Sequence, residues 1–238
     1  MKTELSKIRE CQRGLTNTYI TLSAKAELLR PLMQDRRIAA HYQTGHLPRA
    51  RNLLISALYL DCVLEALSIT CDKDGRVASM ANVLRMLRDP PLRATLRSEF
   101  AAVPDPLFID GTGLPPEASA HYREREVSRF AGNFDAKLSA CEHSFDRLQR
   151  SIVTQRLKGV RDKVHAHKEI TSDGGTPRLR TIEEFGLRVR DIYQFLSRVR
   201  PMVLDLELLV TGCSLILDDI EDEHVVMARH FWSVTVRI

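Results

Sequence analysis

The spacing of apolar residues constrains this chain more than any other feature, and it is helical almost throughout. Leu53, Ala57, Leu60, Leu64 and Leu67 recur at intervals of three and four. So do Phe134, Leu138, Cys141, Phe145, Leu148 and Ile152, and again Ile182, Phe185, Val189, Ile192, Leu196 and Val199. Residues three and four apart share one face of a helix, so each run predicts a stripe buried against neighbouring helices. Strand-like alternation is scarce. Its best candidate is 231–238, FWSVTVRI, which has no evident strand to pair with.

The pattern predicts helices near 4–43 (bent or broken at Pro31), 48–70, 79–88, 91–102, 118–156, 157–168, 181–200 and 202–217. Pro48 suits a first helical turn, where its missing N–H costs little. Thr181-x-x-Glu184 matches a capping box, and Pro201 can stop one helix or open the next. Two segments read as loops: 103–118, with four prolines and two glycines in 16 residues, and 170–180, which contains Ser172-Asp173-Gly174-Gly175-Thr176-Pro177. The expectation is an all-α helical bundle with one Pro/Gly-rich loop excursion. It forms a single domain over 1–238, with a core near 10–200 and a C-terminal helix and tail over 201–238.

The composition is that of a globular chain: 44% hydrophobic and 28% charged over 238 residues. A chain this long buries roughly 70–75% of its unfolded surface and needs no disulfide or metal to fold. The cysteines Cys11, Cys62, Cys71, Cys141 and Cys213 are odd in number, widely spaced and form no CxxC. That argues against a disulfide framework or a zinc finger and for a reducing compartment, hence a cytoplasmic location. The N-terminal MKTELSKIRECQRG has no apolar signal core. The apolar run 202–217 is interrupted by Asp205 and Glu207, and it is shorter than the roughly 20 residues a membrane span needs. No membrane association is expected.

The net charge of +4 conceals an asymmetry. Residues 147–168 hold Arg147, Arg150, Arg156, Lys158, Arg161, Lys163 and Lys168 against one acid, Asp162, while 201–223 hold seven acids and no base. A basic stripe attracts polyanions even on a nearly neutral chain; the alternative is a pair of solvated helix faces. P-loop, dinucleotide-binding, zincin and nucleophile-elbow motifs are all missing.

RDKVHAHKE, residues 161–169, ends the basic stripe. Arginine holds a phosphate with a planar fork of donors, and histidine moves protons near neutral pH. Fixed positive charge stabilises the charge that develops on phosphorus oxygens. Spacing alone does not select this segment. An Arg followed after four to six residues by a His arises about three times by chance in such a composition, and it occurs here as Arg36…His41 and Arg161…His167.

RDKVHAHKE resembles the signature of the HEPN superfamily: Arg, a polar residue, then a short gap to His. The upstream segment 51–87 resembles the HEPN-like proteins of the bacterial abortive-infection U type. The resemblance covers roughly residues 10–200. It implies a helical core of four or five helices, a homodimer with a cleft at its interface, and RNA cleavage without a metal or other cofactor. Arg161 and His167 would be the catalytic pair and Asp162 the polar partner. Lys163, His165, Lys158 and Arg156 would hold substrate. Glu169 stands one place later than the acid that often follows the His. On a straight helix Arg161 and His167 lie about 120° apart and Arg161 and His165 about 40°. So the helix ends near His167, or a second protomer completes the site, or His165 is the partner.

The expected function is an endoribonuclease of an antiviral defence or toxin–antitoxin system, acting by 2′-OH attack on RNA. The alternative is a non-catalytic HEPN module that binds nucleic acid or protein. A cognate antitoxin or defence-system partner is expected in either case. Three other groups carry more than one reading each. Arg36, Arg37, His41, His46, Arg49 and Arg51 could hold RNA or form a polar helix end. His230, Phe231 and Trp232 could stack bases or pack as a tail. The acidic run 218–223, DDIEDE, could bind the basic stripe, hold a divalent ion, or form a solvated helix end.

Overall fold

A computed structural model describes residues 2–43, 45, 47–71, 74–102, 116–166, 170–173, 176–179 and 182–235. Nine α-helices run through these residues: α1 Lys2–Gln34, α2 Arg36–His41, α3 Leu47–Cys71, α4 Met80–Met86, α5 Pro90–Ala101, α6 Pro116–Gln149, α7 Ile152–Val160, α8 Val189–Thr211 and α9 Leu217–Thr235. A π-helical turn, Arg161–Ala166, continues α7, and a 3-10 turn, Ile182–Phe185, precedes α8. The bundle is all-α apart from one antiparallel hairpin, β1 Ile170–Asp173 with β2 Thr176–Leu179, in the register Ile170 to Leu179.

α1 is the organising helix. Ile8, Leu15, Leu22, Ala26 and Leu29 are fully buried, and α1 packs against α3, α4, α8 and α9. α6 packs on α5 and α8 and buries Phe134, Leu138, Cys141 and Leu148, as its periodicity predicts; Ile152 falls outside it and is exposed. α8 buries Ile192, Phe195, Val199, Met202, Val203 and Leu206. Fully burying one such side chain contributes about 1.5–3 kcal/mol, so several together outweigh the roughly 3 kcal/mol an interior proline costs. That is why α8 runs unbroken through Pro201, which faces solvent.

The structure corrects several expectations. Of the expected α3 stripe only Leu67 is buried, together with Tyr59, Cys62, Val63, Ala66 and Ile69, whereas Leu53 is 64% exposed, Ala57 is exposed, and Leu60 and Leu64 are half-buried. α3 is apolar nearly all round, so several stripes can be drawn on it, and contact with α1 selects one. By length and composition, Leu47–Thr70 is the one helix among the described residues able to cross a membrane, and its C-terminal half carries the core contacts.

The first helix continues past Pro31 and breaks at Asp35, whose side chain caps α2 through the Arg37 N–H. Residues 118–156 hold two helices, because Ser151 accepts the Thr154 N–H and starts α7. The segment expected as a loop at 170–180 holds the hairpin, with Gly174-Gly175 between its strands. The strand-like tail is helical to Thr235. Trp232 anchors it at 3% exposure, donating Nε1–H to Leu28 O at 3.0 Å, and packs with Leu32 and Ile38. α8 is capped at Arg188, whose N–H the Asp191 carboxylate accepts at 2.8 Å; the capping box expected at Thr181–Glu184 depends on Thr181, which lies outside the described residues. Most of the 103–118 loop lies outside them too, and α6 already begins at Pro116.

Candidate functional site

The basic stripe is held by α7, which buries Val153, Thr154, Leu157 and Val160 against its neighbours. Gln149, the last residue of α6, bridges two elements: its Nε2 donates to Thr70 O at 2.6 Å, and its Oε1 accepts from Lys158 Nζ at 3.0 Å. On the other side the 3-10 turn presses directly on α7. A Cβ at Gly159 would stand 2.6 Å from the Phe185 ring, so the contact requires glycine. Gly186 follows with φ +62°, a conformation costly for other residues, and lies beside the Arg156 guanidinium. That guanidinium faces Asp191, whose side chain is 5% exposed, across 3.8 Å. Asp191 is thus shared between the α8 cap and Arg156.

The chain then enters the π turn Arg161–Ala166. Such wider turns are rare and are found frequently at functional sites. Arg161 Nε donates to Asp162 Oδ1 at 2.7 Å, with the two side chains 41% and 48% exposed. Lys163 is exposed beside them. The described helical turn ends at Ala166, one residue before His167.

The structure therefore brings Arg161 and Asp162 together and seats Lys163 next to them. It turns Arg156 toward Asp191 and Lys158 toward Gln149, so these two cations engage protein groups. His165 lies on the π turn, but its side chain, like all of His167, lies outside the described residues, as do Lys168 and Glu169. The residues that sequence reasoning missed are those that hold α7 in place: Gln149, Phe185, Gly186 and Asp191. The Gly159–Phe185 contact joins residues 26 positions apart, and no local pattern announces it.

Several members of the other candidate groups engage protein groups. Arg37 pairs with Asp35, whose carboxyl it holds below the usual range, and Arg51 donates to Leu32 O at 2.5 Å. His46 lies outside the described residues. In the acidic run, Asp218 and Glu221 pair with Arg200, and Tyr19 donates its hydroxyl to Glu221 at 2.7 Å. Burial, reinforced by Glu221, raises the Tyr19 phenol. Among the described residues no three His, Cys, Asp or Glu side chains are placed to hold a metal ion. Burial pushes the Cys62 and Cys141 thiols up to about 12, so neither is a thiolate nucleophile near neutral pH.

Known proteins supply the remaining observation. Neither the curated proteins nor the solved structures contain a match to this chain. One family model, described as AbiU2, does match, over residues 7–231. That span takes in the core helices, α7 and its π turn, and most of α9, so the chain belongs to the HEPN_AbiU2 family.

Proposed function

We propose that this chain is a metal-independent endoribonuclease of a bacterial antiphage or toxin system. Membership of the HEPN family suggests a nuclease-like or defence-associated module. The finer reading rests on one observation: Arg161, partly exposed, donates to Asp162 at 2.7 Å on the π turn Arg161–Ala166. Arg161 grips the scissile phosphate with a planar set of donors. His167 exchanges the proton of the neighbouring ribose 2′-OH. The oxygen of that hydroxyl bonds to phosphorus, the 5′-oxygen leaves with a proton, and a 2′,3′-cyclic phosphate remains. Lys163 and His165 assist with charge, and Arg156 and Lys158 hold the helix that presents the turn. The active form is a cytoplasmic homodimer with its cleft between subunits, controlled by a cognate antitoxin or another defence-system partner.

The test is RNA integrity. Cellular RNA is incubated in EDTA with the wild-type chain and with His167→Ala, and the ends are mapped. Fragments ending in 2′,3′-cyclic phosphate from the wild type alone are expected. Since the attacking group is the 2′-OH, equal cleavage of DNA would overturn the mechanism.

A second reading, a non-catalytic module that binds nucleic acid or protein, is favoured by the engagement of Arg156, Lys158 and Arg161 with Asp191, Gln149 and Asp162. Arg161→Ala separates the two. It abolishes cleavage in the first case and alters only a salt-dependent affinity in the second.

A further inference from the structure

The seven cations of residues 147–168 form one stripe in sequence, but the structure divides them. Arg156, Lys158 and Arg161 meet protein groups on or beside α7. Arg147 lies elsewhere, in a groove of about 350 Å³ between α6 and α8. The groove is lined by Ser144, Arg147, Leu148, Arg198 and Met202.

Three observations set this groove apart. Arg147 and Arg198 are both exposed, and neither has a carboxylate within ion-pair distance among the described residues; Arg147 donates only to the Ser144 hydroxyl, at 3.3 Å. Further along the same interface Lys137 pairs with Asp205, and on α8 Arg200 turns to Asp218 and Glu221 of α9. Two guanidinium groups with no ion pair among the described residues thus line one groove. Second, the floor is apolar, since Leu148 and Met202 are each 3% exposed. Third, the groove lies toward the α7 end. From the Lys137–Asp205 pair, α6 ascends to Arg147 as α8 descends to Arg198, so the helices are antiparallel here. α6 ends two residues beyond Arg147, at the Gln149 that holds Lys158. α8 reaches Asp191, the partner of Arg156, seven residues before Arg198, about 10 Å along the helix.

From this geometry we infer that the Arg147–Arg198 groove is a phosphate subsite that holds the backbone of a single-stranded RNA as it passes the α7 turn. Two arginine forks and a serine hydroxyl suit a phosphodiester, and the apolar floor suits the sugar and base edge beside it. The identity of the ligand as RNA rests on the nuclease reading; the anion site itself rests on the groove.

The experiment uses the full chain and a fluorescent 2′-O-methyl RNA strand, which lacks the attacking hydroxyl and so reports binding alone. Affinity is measured against salt for the wild type, Arg147→Gln/Arg198→Gln, Arg161→Ala, and Arg76→Ala, a paired arginine on another surface. Each phosphate contact on a single strand adds about 0.7 to the salt slope. The double variant is expected to lose about 0.7–1.4 of that slope and about tenfold or more in affinity at low salt. Arg76→Ala is expected to match the wild type. Cleavage of unmodified RNA is followed in parallel.

If the double variant keeps the wild-type slope while Arg161→Ala abolishes cleavage, the groove is overturned and the nuclease reading stands. If the double variant lowers the melting temperature but leaves the slope intact, the arginines are structural and the groove is again overturned. If inorganic phosphate or free nucleotide competes with the strand at the groove while no RNA is cut, the anion site stands and the nuclease reading falls. If the wild type binds neither the strand nor phosphate, the groove is overturned, and the nuclease reading falls with it only where unmodified RNA also stays intact.

Discussion

Along α1, six apolar side chains from Ile8 to Leu29 are buried, and the helix meets α3, α8 and α9. Along α7 and the turn after it, four cations fall within eight residues, and each faces a protein oxygen or solvent. The first region is held by shape, which many residues contribute and which tolerates small errors locally. The second is held by a few specific pairings: glycine under a phenylalanine ring, one glutamine bridging two helices, one buried aspartate serving a cap and an arginine. A disturbance in the first region should therefore be felt everywhere, and one in the second only in chemistry.

The sharpest way to break that contrast is to compare two substitutions of similar free-energy size. His167→Ala should reduce RNA cleavage by about 10²–10⁴-fold, the usual worth of a general acid or base, with the melting temperature unchanged. Phe195→Ala should cost about 3–5 kcal/mol of stability, because it empties a fully buried site. Its activity should fall only in proportion to the unfolded fraction. Denaturant melts and single-turnover cleavage on both variants check this, and loss of stability in His167→Ala would erase the distinction.

Gly159→Ala tests the packing that holds the second region. Alanine gains up to about 1 kcal/mol of helix propensity, but its methyl would meet the Phe185 ring at 2.6 Å. Overpacking of this kind costs about 1–3 kcal/mol. A net loss of about 1 kcal/mol is expected, with a larger fractional loss of cleavage than of stability. Gly159→Ala/Phe185→Leu should recover both.

The smallest effect is pH-dependent. His224 faces Ser23, and burial holds its imidazole below the ordinary 6.5, against the opposing pull of Glu221 and Glu223. The unfolded chain therefore takes up the proton first. The stability from the neutral ring is complete above the unfolded value and is lost as pH falls through the folded one. Thermal melts from about pH 7.5 to about 5.5 should show a decline that His224→Gln flattens.

Helical stripes marked the buried faces of α6 and α8 in advance, because each has one apolar face. They did not mark the ends: 118–156 divides at Ser151, and α8 runs on through Pro201, where the pattern predicts two helices, 181–200 and 202–217. α3 misled because it has several, and only its packing on α1 shows that Tyr59, Cys62, Val63 and Ala66 turn inward. The tail misled for a different reason: the β-favouring residues of FWSVT are outweighed by a single buried tryptophan bound to Leu28. At the site, RDKVHAHKE marked the residues that form the π turn. It could not show that Arg156 and Lys158 turn to Asp191 and Gln149, since those partners lie 35 and nine positions away. Nor could it show Arg198 beside Arg147, because helix packing and not sequence order makes them neighbours.

The partners of α1 carry one more consequence, for the birth of the molecule. Tyr193 donates to Ala26, Tyr19 to Glu221 and Trp232 to Leu28, across 167, 202 and 204 positions. At a synthesis rate of about 5–20 residues per second, α1 and the α3 that packs on it emerge from the ribosome roughly 10–40 seconds before α9 completes their cover. During that interval the nascent chain has no finished interior. Chaperones have their longest opportunity there, and any nucleolytic activity must wait until translation has passed Trp232.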